Sequence, residues 1–289
     1  MKYGPTILHD RIAATLNEVA RTGSCPQELK LGNLIPLPKP GKPKGPTKNL
    51  RPIILLSVLR KILAICIIQR TFKRIREAIP VSQAAYSPGR NTTELVFAFK
   101  LLAEKAISSC NYETHLLMLD MCEAFDTVVR ATFIDDIKEI LDPDETHLIS
   151  ILVKDVKLQV RCEQNTGEIF TTNTGVPQGD CLSPILFTLY LSKALKTPED
   201  IHQNDILPCF LNEHSYSRAL FNPFTIDQQY ADDIGWAAGN EFVIDQNEKK
   251  IPIKLKERNL MVNEEKTERY AIKRNGPEEW KECKYLGLI

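Results

Sequence analysis

Asp232 and Asp233 are adjacent carboxylates inside a short apolar frame, with Ile226 before them and Ile234, Trp236 and Ala237 after. Any fold this chain adopts must provide a place for that charge. The β-branched and aromatic residues on either side predict two short strands joined by a tight turn at the acidic pair. Neighbouring side chains on a regular strand face opposite ways, so only a turn or bulge lets both carboxylates approach one site. Most aspartate pairs in turns are solvated turn formers. Carboxylates about 4 Å apart, however, repel by roughly 4 kcal/mol at an effective dielectric of about 20. A hard divalent cation is their natural ligand.

Two other segments strengthen the metal reading. The apolar run Leu116-Leu117-Met118-Leu119 has strand length and ends abruptly in Asp120, with Ala124-Phe125-Asp126 shortly after. That puts a carboxylate at the end of a buried strand. The segment Gly175-Val176-Pro177-Gln178-Gly179-Asp180-Cys181-Leu182-Ser183-Pro184 leads into the periodic apolar positions Ile185, Leu186, Leu189 and Tyr190. Ser183 and Pro184 there read as an N-cap and a first helical position.

In this order the three motifs resemble the reverse transcriptases of non-LTR (LINE-type) retrotransposons. Flanking blocks extend the resemblance from about residue 25 to the last residue. Ile35-Pro36-Leu37-Pro38-Lys39-Pro40-Gly41-Lys42 with Arg51-Pro52-Ile53 resembles the nucleotide-contacting fingers segment. Residues Gln83 to Thr93 resemble the block before the first catalytic strand. Asn263-Glu264-Glu265-Lys266-Thr267 resembles the lysine motif after the catalytic turn, and Tyr285-Leu286-Gly287 the start of the primer-grip hairpin. Asp180 departs from the pattern, since many similar sequences carry Ser there; an acid suits the helix N-terminus that follows.

The resemblance implies an RNA-directed DNA polymerase working through two magnesium ions, with manganese as the alternative metal. Its partners would be an RNA template, a DNA primer and deoxynucleoside triphosphates. Asp120 and Asp232 would bridge the metals and Asp233 would support the site less directly. Phe125 would pack beneath the incoming sugar and exclude a ribose 2′-hydroxyl; as a plain core aromatic it would do neither. Gln178 offers a donor and an acceptor to sugar or base edges, and Gly179 leaves room for backbone to approach. Lys39 and Arg51 match triphosphate-binding positions, Arg51 as a fork and Lys39 as a point charge. Lys266 resembles the lysine that protonates departing pyrophosphate, and on spacing alone it is equally a solvated surface lysine. Asp126 caps or orients the chain after the strand.

Charge is segregated along the chain. Lys30, Lys39, Lys42, Lys44, Lys48, Arg51, Arg60, Lys61, Arg70, Lys73, Arg74 and Arg76 are 12 basic residues between Leu29 and Arg76, a stretch without a single acid. The other 25 basic residues face all 37 acidic ones, so the remainder is net −12 although the whole is neutral. A basic surface holding phosphates and an acidic remainder with a metal site accounts for this. Eight scattered cysteines without a Cys-x-x-Cys pair support neither a zinc site nor a disulfide framework and suit an intracellular compartment, nucleus or cytoplasm. The apolar stretch Ile53 to Ile68 is interrupted by Arg60-Lys61 and is short for a membrane span, so no membrane partner is expected. No signal peptide is visible.

Periodicity predicts helices over Thr6–Arg21, Ser57–Glu77, with Leu59, Leu63, Cys66 and Ile67 on its apolar face, and Thr93–Ile107. A further helical stretch over 131–157 breaks near Asp142-Pro143. Leu158–Cys162 and Ile169–Asn173 suggest a hairpin about Asn165-Thr166-Gly167, and the proline-rich Pro36–Pro46 an exposed, mobile loop. Residues 193–227 carry no clear pattern. Helices interspersed with short strands suggest an α+β fold. The resemblance makes this a polymerase palm, an antiparallel sheet backed by helices, with an interleaved fingers subdomain. Fingers would take residues 1–115 and 128–172, the palm 116–127 and 173–289, and a thumb would be absent. The resemblance implies no particular oligomeric state. Two rivals remain on sequence grounds: a truncated, catalytically silent nucleic-acid-binding remnant, and a palm-containing nucleotide cyclase, which has no need of basic fingers.

Overall fold

The computed structural model describes residues 4–43, 45–108, 113–195 and 225–273. In chain order its elements are α1 (Thr6–Thr22), α2 (Gln27–Lys30), β1 (Leu31–Pro38), β2 (Leu50–Leu56), α3 (Val58–Ala78), α4 (Thr92–Ser108), β3 (Glu113–Leu119) and β4 (Met121–Cys122). There follow α5 (Ala124–Thr127), α6 (Arg130–Lys138), α7 (Pro143–Val153), β5 (Val156–Cys162), β6 (Asn165–Thr172), α8 (Ser183–Leu195), β7 (Thr225–Tyr230) and β8 (Asp233–Ala238). The last are α9 (Glu241–Glu257), β9 (Met261–Val262) and β10 (Glu268–Lys273). This is a mixed α+β fold. The chain divides into two compact units, Met1–Ala78 with Phe125–Phe187 and Ile79–Ala124 with Thr188–Ile289.

The first unit is built on a sheet of order β2-β1-β5-β6, in which β1 runs antiparallel to β2 and parallel to β5. Ile54, Leu56, Val156 and Leu158 form its buried cluster, with Leu34 against them. Of the proline-rich segment 36–46, expected as an exposed loop outside any central strand, only the first three residues lie in β1, which ends at Pro38. Its pairing with β5 covers only Leu31–Leu34, so Pro36 and Pro38 lie beyond the stretch that must bond on both edges. The hairpin turn falls at Glu163-Gln164, two residues before the expected one, and Asn165-Thr166-Gly167 lies in β6. A register shift between Gln159 and Arg161 and a left-handed Glu163 (φ 54) absorb the difference.

On α3 the buried stripe is Arg60, Leu63, Ala64, Ile67, Thr71 and Ile75, rotated from the expected face, and Cys66 is exposed. The basic end of α3 does more than answer its own helix dipole. At the break before α7, Asp142 and Glu145 form a capping box with Pro143 at the first turn. Arg70 Nε donates to Glu145 at 3.0 Å, Arg74 donates to Asp142 at 3.0 Å, and Arg74 also pairs with Glu145, whose side chain is fully buried.

The second unit centres on an antiparallel sheet of order β10-β3-β8-β7. β3 is buried on both faces, which explains an uninterrupted apolar run. Leu116 and Met118 meet Leu95, Phe99 and Leu102 of α4, and Leu117 is buried on the opposite side. α9 packs on β3 and β8.

Candidate active site

The two strands expected around the acidic turn are β7 and β8. Tyr230 pairs with Asp233, leaving Ala231 and Asp232 as a two-residue turn. Ala231 takes left-handed backbone (φ 55), a place where hairpins of this kind favour glycine. β3 runs antiparallel to β8 with Leu119 opposite Ile234. One residue further along each strand, the register sets Asp120 opposite Asp233. The acids of two distant motifs therefore converge through strand register alone.

Their electrostatics show the cost of this convergence. Burial, then the charges of Asp232 and Asp120, push the Asp233 carboxyl up to about 6. Asp232 is also raised, mainly by burial and further by Asp120. Lys266 approaches from a short 3-10 turn (Glu264–Lys266). That turn is anchored where β4 pairs β9 and where the Asn263 N–H donates to the Asp120 carbonyl at 2.8 Å. The Lys266 ammonium lies 2.7 Å from Asp120 Oδ2, and this contact raises its pKa. Lys266 is thus paired with Asp120 while its side chain stays largely exposed. Tyr86, half-exposed and itself left-handed (φ 55), is near enough for Asp232 to raise its phenol, after burial. Among the described residues no three His, Cys, Asp or Glu side chains form a ready-made metal-binding group.

The remaining expected residues lie in the first unit. The Gly175–Gly179 loop rests on two supports. At its start the Gly175 N–H donates to the Val128 carbonyl and the Val176 N–H to that of Phe125, each at 2.8 Å. Further along, the Ile54 N–H of β2 donates to the Gln178 carbonyl at 2.7 Å. Gly179 (φ 123) could not carry a Cβ, which would lie 2.4 Å from the Ile54 carbonyl oxygen. Gln178 Nε2 donates to both Asp126 oxygens, at 3.2 and 3.3 Å, so Asp126 orients Gln178. The Phe125 ring stacks on Phe187 with centroids 4.2 Å apart and is half-buried. Arg51 is exposed on β2 opposite Leu37, and Lys39, just past β1, donates from Nζ to the Lys48 carbonyl at 2.8 Å. Tyr285-Leu286-Gly287 lies outside the described residues.

Sequence reasoning missed what holds this loop. Arg130, almost fully buried, donates from Nε to Gly175 O at 2.6 Å, from Nη2 to Thr174 O at 2.9 Å and from Nη1 to Thr172 O. Desolvation lowers its pKa to about 10, so it stays charged at neutral pH. Arg60, also buried, donates from Nη2 to Asp180 Oδ2 at 3.1 Å and to Leu152 O at 2.7 Å. Asp180 Oδ1 in turn accepts from the Leu182 N–H at 3.2 Å. Helical spacing through Ala64, Ile67 and Thr71 already put Arg60 on a buried stripe. No local signal marked Arg130.

An antiparallel sheet presenting acids at the end of one strand and in the next hairpin, backed by helices, is that of a palm-type nucleotidyl-transferring polymerase. The sequence profile of the reverse transcriptase (RNA-dependent DNA polymerase) family matches residues 37–289. The chain belongs to that family, and its curated relatives are polymerases of non-LTR retrotransposons. It is 26% identical over 211 residues to a probable RNA-directed DNA polymerase from transposon BS of Drosophila melanogaster, covering 72% of this chain and 23% of that protein. It is 28% identical over 176 residues to the RNA-directed DNA polymerase from mobile element jockey of Drosophila funebris, covering 60% and 19%. The chain thus spans about a fifth of the length of these relatives. Among solved structures it superposes on apo telomerase of Candida tropicalis truncated from its C-terminal domain, with a TM-score of 0.62 at 12% identity, over 94% of this chain and 56% of that one. At that identity the likeness is one of fold. No helix among the described residues is long and apolar enough to cross a membrane.

Proposed function

We propose that this chain extends a DNA primer on an RNA template with deoxynucleoside triphosphates, as the polymerase domain of a non-LTR retrotransposon. The observation that carries the reading is the register that sets Asp120 beside the Asp232-Asp233 turn, with carboxyls whose protonation is favoured by burial and mutual repulsion. Such a group gains most from a cation. The donor set suits magnesium, which takes one or two carboxylates and completes its shell with substrate phosphates and water rather than an all-protein cage. Asp120 and Asp232 would hold the ions and Asp233 would support them. When bound, such ions stabilise charge on the attacking and leaving oxygens of an in-line displacement.

Around that chemistry the protein's own groups hold and orient. Lys266, now neutralising Asp120, carries a proton that can pass to departing pyrophosphate. Arg51 forks onto triphosphate oxygens and Lys39 adds a point charge. Gln178, aimed by Asp126, and Gly179 meet the nucleotide, and Phe125 lies under its sugar. The fingers then correspond to about 1–115 and 128–172 and the palm to about 116–127 and 173–289. The compact units group 79–115 with the acidic strands rather than with 1–78.

Primer extension on an RNA template, with and without magnesium, tests the reading. Asp120→Asn and Asp232→Asn are each expected to abolish nucleotide addition while leaving folding and template affinity nearly intact, because a lost metal ligand acts on the transition state. Extension at the unsubstituted rate in either variant, or extension that ignores chelation, would sink the assignment.

A further inference from the structure

Gln83 is fully buried and its side chain is spent on the acidic turn. The segment before α4 lies along the outer edge of β7: the Ala84 N–H donates to Gln229 O and the Gln229 N–H to Ser82 O, each at 2.9 Å, in a parallel bridge. From that anchorage Gln83 reaches past the end of β7. Its Oε1 accepts from the Ala231 N–H at 2.9 Å and from the Ala85 N–H at 3.2 Å. Its Nε2 donates to Ala231 O at 3.3 Å and to Gln229 Oε1 at 3.4 Å. One primary amide therefore grips both main-chain groups of the residue that precedes Asp232. Ala231 is buried, so without Gln83 both groups would be left without these partners, which is unfavourable away from water.

Ala231 is also the strained residue of the turn. Left-handed backbone is unfavourable for a residue with a Cβ and persists only where its surroundings over-determine it. We propose that Gln83 is a positioning residue: it clamps Ala231 in the left-handed conformation and so fixes where Asp232 projects. The inference rests on the acids of this turn being the catalytic carboxylates. Glycine adopts positive φ at no steric cost, so Ala231→Gly makes the turn less dependent on the clamp. A residue needed only for packing would not be compensated in this way.

Gln83→Met keeps the volume and removes every hydrogen bond of the amide. Hydrogen exchange on the whole chain is expected to show the Ala231 amide exchanging at least about tenfold faster in Gln83→Met, with α4 and β3 unchanged. In primer extension, kcat is expected to fall about tenfold or more with the nucleotide KM little altered, and Ala231→Gly in the Gln83→Met background is expected to recover most of that loss. Unchanged exchange at Ala231 overturns the clamp. So does a loss of kcat that Ala231→Gly leaves untouched, since the role would then be packing alone. If the unsubstituted chain extends no primer, the polymerase reading fails, and the exchange measurement alone decides the clamp.

Discussion

At the scale of single residues, the sharpest division is between side chains that face solvent or substrate and those the fold has already engaged. Phe125 has one ring face on Phe187 and is half-buried. A ring anchored on one side can act as a steric wall on the other, which a freely rotating side chain cannot. Phe125→Val shortens that wall and is expected to relax sugar selection. Incorporation of single deoxy- and ribonucleotides measures the change as a ratio of kcat/KM values, by about tenfold for a lost clash of about 1.4 kcal/mol. An unchanged ratio would return Phe125 to the core. Asp126, an acid with no metal role in the sequence reading, serves instead as the partner that aims Gln178.

At the scale of elements, the Gly175–Gly179 loop is a short segment held from both ends by buried guanidinium groups. Arg130 satisfies carbonyls at its start, and Arg60 holds Asp180 at its end. Among the described residues Arg60 Nε and Nη1 have no partner, so Asp180 and the Leu152 carbonyl carry the compensation for a buried charge. Asp180→Ser leaves that charge unpaired and is expected to cost roughly 3–5 kcal/mol in urea unfolding. Combining it with Arg60→Met removes the orphaned charge. The double variant is expected to recover at least about 1 kcal/mol relative to Asp180→Ser alone; strict additivity of the two losses would show that the pair is not a unit.

At the scale of the whole molecule, the basic block divides into structural and outward-facing charges. Arg60 is internal, and Arg70 and Arg74 bridge α3 to α7. Lys42, Lys48, Arg51 and Lys73 are exposed. RNA affinity is expected to fall steeply between about 50 and 200 mM salt, with each lost phosphate contact on a single strand lowering the logarithmic slope by about 0.7. Lys48→Gln and Arg51→Gln are expected to lower that slope, measured by fluorescence anisotropy. Arg74→Gln is expected to lower stability and leave the slope alone. Equal slope changes from all three would return the block to a uniform phosphate-tracking surface.

The sequence determined the residue types of the candidate site and the local elements. Each motif is contiguous, so its residue types and spacing suffice: an apolar run stopped by Asp120, a turn at Asp232-Asp233 between β-formers, and Ser183-Pro184 opening α8. The break at Asp142-Pro143 was legible for the same reason. Tertiary structure decided whatever depended on partners far along the chain. The pairing of Leu119 with Ile234 brings the acids together, and Lys266 reaches Asp120 across 146 residues of sequence. Gln83 closes on Ala231 over 148. A polar side chain reads in sequence as a solvated one unless its partner is known. Long-range hydrogen bonds, which no local pattern encodes, made Arg130 and Gln83 the supports of the Gly175 loop and of the acidic turn; for Arg60 the helical spacing marked the burial but not its partner Asp180.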